Sequence, residues 1–222
     1  VIPMFILMGT FAFAAGISKR LFKTAYAWIG HRRGGLTVAT VFACAGFGAI
    51  CGSSTATAAT MGKIALPEMK KYKYDDTLAT GTVAAAGTLG ILIPPSTVLI
   101  IYGILTEQSI GKLFVAGILP GIFLSILFAA TVVFLCWRNP AIGPPGAPTS
   151  FREKLKSLTG IIEALLLFLL AIGGLFLGWF SPTQAGAIGA GGALLIGLAR
   201  RKLSWQSFVA GSEERRVGKE CR

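Results

Sequence analysis

Charged side chains are scarce in this sequence of 222 residues, where Asp, Glu, Lys and Arg together make up 14%. Soluble domains carry about 25% charged residues, and 54% of the residues here are hydrophobic. This balance excludes a disordered chain and a water-soluble globular enzyme. Acidic residues are rarest, 9 against 21 basic ones. Hydrolysis or group transfer needs titratable groups at the reacting centre, and the apolar segments offer almost none, so we do not expect an enzyme.

Cysteine and histidine are also sparse, and their spacing matches no metal-ligand pattern. Cys44 and Cys51 lie in one apolar run, Cys136 ends another, and Cys221 is near the C-terminus. We expect small buried side chains rather than a disulfide framework or a zinc site. His31 stands in a basic stretch and is expected in an interfacial loop rather than at a catalytic centre.

What the sequence does have is a series of apolar segments broken by glycine and proline, which number 29 and 10. Membrane helices tolerate both residues better than soluble helices do. Residues 2–16 form an apolar run too short for a full span, and residues 17–29 mix Lys and Arg with Leu, Phe, Tyr and Trp. Residues 1–33 therefore predict a truncated transmembrane helix and a basic interfacial arm helix.

Residues 34–69 have basic residues on both flanks, which indicates that both ends face the cytoplasm. Two complete crossings with a turn would need more than about 40 residues. The centre of the segment, GSSTATAAT at 52–60, is also polar. These features predict a re-entrant helical hairpin, whose irregular centre is tolerated at depth only inside protein or beside a wet cavity. A pair of tilted spans packed through small residues is the alternative.

Residues 76–103 predict a second interrupted element, because GTLG at 87–90 and PPST at 94–97 break its helical pattern. Two consecutive prolines remove two backbone donors, so the carbonyl groups of this turn should lack partners. A simple proline kink is the alternative. An uninterrupted helix is expected at 115–137. Together, residues 34–137 form the predicted core.

The rest of the chain fixes the predicted orientation. Residues 139–150 are rich in Pro and Gly and predict an extended loop within a cytoplasmic linker at 138–158, and residues 159–208 contain further helices. With the hairpin ends inside, every cluster of Lys and Arg falls on the cytoplasmic side. The net charge of +12 therefore reflects topology and not nucleic-acid binding. Lys63, Glu68 and Glu163 are expected to reach the interface by snorkelling.

The two ends of the sequence differ from the rest. Val1 is not a start methionine and stands inside an apolar run, so an N-terminal segment is expected to be missing. Residues 212–222, SEERRVGKECR, change character abruptly and resemble the translation of a sequencing-library adapter. We expect this tail to be non-native.

The two interrupted elements contain neutral oxygen atoms, and few charged groups, as possible ligands. Ser53, Thr57 and Thr60 are spaced i, i+4 and i+7, so they share one helix face that lines a polar path or packs against another helix. Small hard cations bind oxygen ligands, and both helix breaks, at the hairpin turn and at the prolines, are expected to supply free carbonyl oxygens. A site without carboxylate or histidine suits Na⁺ better than a proton.

Three stretches resemble the large membrane subunit of the tripartite ATP-independent periplasmic (TRAP) transporters, the DctM-like family: FGAICGSSTATAATMGKIALPEMKKYKYD at 47–75, GTLGILIPPSTVLIIYG at 87–103 and SIGKLFVAGILPG at 109–121. GWFSPTQAGAIGA at 178–190 resembles the start of the family's second repeat. The resemblance implies an all-α polytopic protein of the bacterial inner membrane, with inverted repeats and an elevator-type movement. Residues 34–137 would be the first-repeat transport core and 159–208 the start of the second repeat. Family members are about twice as long, so the chain is expected to be a fragment without the first spans and the second hairpin.

The resemblance also implies sodium-coupled import of organic acids such as C4-dicarboxylates, without a cofactor besides the coupling ion. The implied partners are a periplasmic binding protein (DctP-like), a small membrane subunit (DctQ-like), the substrate and membrane lipid. The implied sodium ligands lie between the hairpin tip and the broken helix: Gly52, Ser53, Ser54, Thr55, Gly87, Thr88, Gly90, Pro94 and Pro95. The implied substrate path consists of Ser54, Thr57, Ser96 and Thr97. Thr57 replaces an acidic residue of some relatives, so a substrate role tied to that carboxylate does not carry over. A membrane scaffold or assembly subunit without a transport path is the alternative.

Overall fold

The computed structural model describes residues 1–200, which form α-helices, one π-helical turn and loops, with no β-strand among them. This confirms the all-α class. The predicted tail at 212–222 and the end of the segment 159–208 lie outside the described residues. The helices are, in chain order, α1 (Ile2–Ala14), α2 (Ile17–Ile29), α3 (Gly35–Cys51), α4 (Ser54–Lys71), α5 (Asp76–Gly87), α6 (Leu89–Leu92), α7 (Thr97–Leu105), α8 (Ile110–Arg138), α9 (Phe151–Ser157), α10 (Thr159–Phe168), α11 (Gly174–Phe176) and α12 (Pro182–Ala199), with the π-helical turn at Leu169–Gly173 before α11.

Three helical stretches are long and apolar enough to cross a membrane: Ile110–Arg138, Phe151–Phe176 and Pro182–Ala199. Two bent pairs, α1 with α2 and α5–α6 with α7, each pass the same test as one broken span, so the described residues hold up to five candidates. This confirms a polytopic membrane protein. Helix α8 includes the helix predicted at 115–137 and begins five residues earlier.

An elbow separates α1 from α2, whose axes differ by 62°. Gly16 between them has a φ of +73°, a left-handed conformation that favours glycine. Nη1 of Arg20 donates a hydrogen bond to the carbonyl of Ala15 at the end of α1 (3.0 Å). Helix α2 buries Leu21 and Phe22 and exposes Lys19, Lys23 and Trp28, so it has the amphipathic, basic character that the sequence predicts.

Helices α3 and α4 form a hairpin whose turn is Gly52 and Ser53. Gly52 has a φ of +66° and ends α3, and the Ser53 side chain begins α4 by accepting the N–H of Ala56 (3.4 Å). At the other end, the N–H of Leu36 in α3 donates to the phenol oxygen of Tyr74, just after α4 (3.2 Å). Burial raises the pKa of Tyr74 to about 12, so the phenol is neutral at physiological pH. The chain thus returns to the end from which it started.

Helices α5, α6 and α7 form the predicted interrupted element. Thr88 separates α5 from α6, and a non-helical stretch at 93–96 separates α6 from α7. The Pro94–Pro95 peptide is cis, and Ser96 begins α7 by accepting the N–H of Leu99 (3.3 Å). The axis turns by 41° across this break. The chain therefore forms two breaks rather than one helix with a proline kink.

Loops that carry basic residues meet at one end of the bundle. The N–H of Gly34 donates to the carbonyl of Gly143 (2.8 Å), and the N–H of Asp75 donates to the carbonyl of Ile142 (3.0 Å). The basic clusters at 31–33 and 70–73 and Arg138 therefore lie at the same end, as the positive-inside rule requires of a cytoplasmic face.

The connection after α8 is partly helical. Residues 139–150 are non-helical, in agreement with their Pro and Gly content. Helix α9, however, begins at Phe151, inside the predicted linker 138–158. Ser150 starts α9 through a capping box with Glu153, a signal that our sequence reading did not use.

The interior is apolar and contains the cysteines of the described part of the chain. The largest fully buried side chains include Phe5, Phe47, Met61 and Phe114. The three cysteines in residues 1–200 are all buried, as predicted: Cys44, Cys51 and Cys136. Cys221 lies outside the described residues.

Candidate functional site

The tip of the α3–α4 hairpin contacts the break between α6 and α7. The carbonyl oxygen of Gly52 accepts two hydrogen bonds from Thr97, one from its N–H (3.2 Å) and one from its hydroxyl (3.0 Å). The carbonyl oxygen of Pro95 lies 2.6 Å from the position that a Cβ on Gly52 would take. Two helix breaks that are 45 residues apart in the sequence are thus in direct contact. We call this contact between residues 52–57 and 90–97 the junction.

Glycine residues make this close contact possible. A Cβ on Gly90 in α6 would lie 2.7 Å from both the carbonyl oxygen of Ser53 and the hydroxyl oxygen of Thr57. A Cβ on Gly48 in α3 would lie 2.8 Å from the Cα of Gly90. Real Cβ atoms do not approach other heavy atoms this closely, so a larger residue at either position would force the backbones apart.

The carbonyl oxygens of the hairpin turn are already in use. Besides the two bonds from Thr97 to Gly52, the carbonyl oxygen of Ser53 accepts the N–H (3.1 Å) and the hydroxyl (2.7 Å) of Thr57. The expectation that the hairpin break leaves free carbonyls is therefore wrong for Gly52 and Ser53. A carbonyl oxygen has two lone pairs, and both are occupied here.

Other oxygen atoms at the junction keep binding capacity. The hydroxyls of Ser53 and Thr55 lie 3.1 Å apart on the outer side, where Thr55 is exposed and Ser53 half-buried. Within residues 1–200, neither the carbonyl of Pro94 nor that of Pro95 accepts a hydrogen bond. The junction thus offers two hydroxyls from the hairpin and two carbonyls from the proline turn.

The first break of the interrupted element lies further along α4. A Cβ on Gly87 would be 2.7 Å from the Cβ of Ala58. Thr88 is exposed, and its hydroxyl donates to the carbonyl of Ala85 (2.7 Å). Of the predicted ion-site residues, the structure brings Gly52, Ser53, Gly90 and Pro95 together, whereas Gly87 and Thr88 lie about one helical turn away.

The residues predicted for a substrate path are mostly used in packing. Ser96 is fully buried, and its hydroxyl donates to the carbonyl of Ile91 (2.5 Å) while it caps α7. Thr57 is also fully buried, and Thr97 holds the hairpin tip. Thr57, which also belongs to the Ser/Thr stripe, is thus packed inside the described part of the chain, and the substrate path stays a prediction. Ser54, half-buried in the first turn of α4, stays at the edge of the junction.

Charged side chains at membrane depth are few, and one is placed differently from our expectation. The carboxylate of Glu163 on α10 pairs with Arg20 on α2 (2.5 Å) and with Arg200 at the end of α12, and its side chain is only 13% exposed. The snorkelling prediction is wrong for Glu163. Lys63 and Glu68 are exposed, and their reach to the membrane interface stays a prediction. Within residues 1–200, no group of three or more His, Cys, Asp or Glu side chains could hold a metal ion.

Comparison with known proteins agrees with the membrane character of the helices. The profile of the family described as "Tripartite ATP-independent periplasmic transporter, DctM component" matches residues 1–215. The chain is 43% identical over 190 residues to the C4-dicarboxylate TRAP transporter large permease protein DctM of Pseudomonas aeruginosa, which covers 85% of this chain and 44% of the relative. It is 36% identical over 209 residues to the sialic acid TRAP transporter large permease protein SiaM of Vibrio cholerae, an alignment that covers 94% of this chain and 48% of the relative. It is also 36% identical over 186 residues to the ectoine/5-hydroxyectoine TRAP transporter large permease protein UehC of Ruegeria pomeroyi, an alignment that covers 84% of this chain and 43% of the relative.

The chain spans less than half the length of each of these curated relatives. The family match nevertheless covers nearly all of this chain, and the apolar helices are those of a membrane protein. Large permease components are transport proteins and not enzymes. The chain therefore belongs to the DctM family, the large permease component of TRAP transporters of the bacterial inner membrane.

Proposed function

We propose that this chain is the part of a large permease subunit that couples the import of an organic acid to the entry of sodium. The observation that supports this proposal is the junction, where two interrupted helices meet at Gly52 and Thr97. Broken helices at membrane depth occur where the backbone is buried in protein or lines a cavity that binds an ion or a substrate. A membrane scaffold has no use for such breaks.

The sodium ion is proposed to bind on the outer side of the junction. Its ligands are the hydroxyls of Ser53 and Thr55 and the carbonyls of Pro94 and Pro95, which are neutral oxygen atoms of the kind that small hard cations bind. The remaining predicted residues, Gly52, Ser54, Gly87, Thr88 and Gly90, allow the close approach of the two breaks or lie at the rim. Because this set contains no carboxylate or histidine, it suits Na⁺ better than a proton.

The hairpin is proposed to be re-entrant and to move together with the interrupted helix in an elevator-type step. Helix α3 has 17 residues, fewer than the about 20 of a full span. The two hydrogen bonds between Gly52 and Thr97 and the contact between Gly48 and Gly90 favour movement as one body, because the backbones have no space to slide past each other.

The substrate is proposed to be an organic acid delivered by a periplasmic binding protein, with a small membrane subunit as the second partner. Relatives are named for C4-dicarboxylates, sialic acid and ectoine. We favour a C4-dicarboxylate, because the 43% identical relative is named for that substrate class. Nucleic acid and cofactors other than the coupling ion have no part in this proposal.

Labelling of a cysteine at the junction tests the ion site. We propose Ser54→Cys, at the edge of the junction, in the chain that also carries Cys221→Ser, reconstituted in liposomes and treated with a water-soluble maleimide in sodium or in potassium. Cys44, Cys51 and Cys136 are buried and should react slowly. Sodium should slow the labelling of Ser54→Cys, which keeps all four proposed ligands. The control is Thr80→Cys on the exposed face of α5, which should react equally in both salts.

Equal labelling rates of Ser54→Cys in sodium and potassium would contradict the ion site and favour the scaffold. In a complete transporter that contains this chain, Ser53→Ala and Thr55→Ala should raise the sodium concentration required for half-maximal uptake, whereas Thr80→Ala should not. Uptake that depends on pH and is indifferent to sodium would defeat the coupling proposal.

A further inference from the structure

An open cavity of about 330 Å³ lies between α3, α5 and α8. Its walls are almost entirely apolar, and Leu78, Phe128, Val132 and Leu135 are among the residues that line it. A cavity with apolar walls is unfavourable to water and accommodates hydrocarbon. The proposed ion site does not use this cavity.

The length of the cavity matches one leaflet of the bilayer. It extends along α5 from Asp75 to Ala86, a rise of about 16 Å at 1.5 Å per residue. Half of a hydrocarbon core of about 30 Å is about 15 Å. The Asp75 end lies beside Ile142, in the loops that carry the basic clusters. With the basic loops on the cytoplasmic side, as the positive-inside rule requires, the cavity would extend from that interface into the cytoplasmic leaflet.

Opposite charges stand at the interfacial end of the cavity. Asp75 lines the cavity, and its side chain is exposed. Arg138 is exposed in the last turn of α8, one turn after the lining residue Leu135. A carboxylate and a guanidinium at one mouth complement a headgroup that contains both an ammonium and a phosphate.

We propose that this cavity binds a zwitterionic phospholipid of the cytoplasmic leaflet, with one acyl chain in the cavity and a phosphoethanolamine headgroup at its mouth. Arg138 binds the phosphate, and Asp75 binds the ammonium. The acyl chain fills the space between the interrupted helix and α8, which no side chain of the described residues fills.

A larger side chain in place of Gly81 should fill the cavity. Gly81 lines the cavity, and a Cβ at this position would have no other heavy atom within 4 Å. Gly81→Leu should therefore extend into the acyl-chain space from a Cβ that meets no other atom. Gly191 on α12 is the matched control, because a Cβ there is equally unhindered and the residue does not line the cavity.

The test is lipid retention by the 222-residue chain. The chain is reconstituted with equal amounts of phosphatidylethanolamine and phosphatidylglycerol, extracted in mild detergent and examined by native mass spectrometry. The parent chain and Gly191→Leu should retain one phosphatidylethanolamine, and Gly81→Leu should lose it. A parent chain that retains no lipid, or equal retention by Gly81→Leu, would overturn the proposal, since another segment or no specific ligand would then occupy the cavity.

A second pair of variants tests the headgroup and does not depend on the folding of Gly81→Leu. Asp75→Asn should lower the retention of phosphatidylethanolamine and leave that of phosphatidylglycerol unchanged, because Asn replaces Asp well as a helix cap and removes the charge. Arg138→Gln should lower the retention of both lipids, because both contain a phosphate. Equal retention of the two lipids by the parent chain would contradict the assignment of Asp75.

Discussion

The contact at Gly90 gives the sharpest prediction about the junction, because two physical effects oppose each other there. Gly90 lies in α6, so its helical backbone favours alanine by about 1 kcal/mol. A Cβ, however, would stand 2.7 Å from the carbonyl oxygen of Ser53 and the hydroxyl oxygen of Thr57, and these two atoms share a hydrogen bond. Overpacking of this kind costs about 1–3 kcal/mol. Gly90→Ala should therefore destabilise the chain by up to about 2 kcal/mol after the helix preference is subtracted.

Gly81→Ala is the matched control for Gly90→Ala. Gly81 is exposed in α5, and a Cβ there would have no other heavy atom within 4 Å, so the substitution should stabilise the chain by about 0.4–1 kcal/mol. Thermal unfolding of the two variants in detergent, followed by circular dichroism, should thus give shifts of opposite sign. If Gly90→Ala unfolds at the same temperature as Gly81→Ala or above it, the close contact between the hairpin and α6 does not exist.

Three further substitutions test contacts in the same unfolding assay. Thr97→Val removes one of the two hydrogen bonds to Gly52 and keeps the N–H bond, so it should cost about 0.5–1.5 kcal/mol; no loss would mean that the hydroxyl does not hold the tip. Gly52→Ala should destabilise the chain more than Thr97→Val does, because a left-handed φ disfavours other residues by about 1–2 kcal/mol. The new Cβ would also stand 2.6 Å from the carbonyl oxygen of Pro95. A smaller effect than that of Thr97→Val would contradict this geometry. Glu163→Gln leaves two arginines unpaired and should approach the about 3–5 kcal/mol of a broken buried pair, whereas Glu153→Gln, on an exposed cap, should change little; equal effects would show that the pairing at Glu163 does not stabilise the fold.

The breaks in the helices were predictable from the sequence because their causes are local. A left-handed glycine ends α3 at position 52, a serine cap begins α4 directly after it, and adjacent prolines at 94 and 95 prevent a continuous helix. Each of these signals acts within a few residues of the break. The start of α9 was not predicted, although its capping box is also a local signal. The Pro-rich residues before Phe151 indicate a loop, and the prediction extended that loop through 158.

The partners of individual groups were not predictable, because they come from distant parts of the chain. Nothing near Thr97 indicates that its hydroxyl binds a carbonyl 45 residues away. The same applies to Glu163, which lies in an apolar helix where snorkelling is the ordinary expectation, and which finds Arg20 and Arg200 instead. The occupied carbonyls of the hairpin turn follow from these tertiary contacts and from the buried hydroxyl of Thr57.

The occupied carbonyls also narrow where an ion could act. An ion between the two backbones would have to displace the hydrogen bonds of Gly52 or Ser53, whereas an ion on the outer side would meet the hydroxyls of Ser53 and Thr55 without breaking any backbone bond. Binding on the outer side costs less reorganisation, and it adds an attraction between the hairpin and the proline turn that the glycine contacts already hold together. Sodium would then strengthen an existing junction rather than create one, so its removal should loosen the Pro95 side before the Gly90 side.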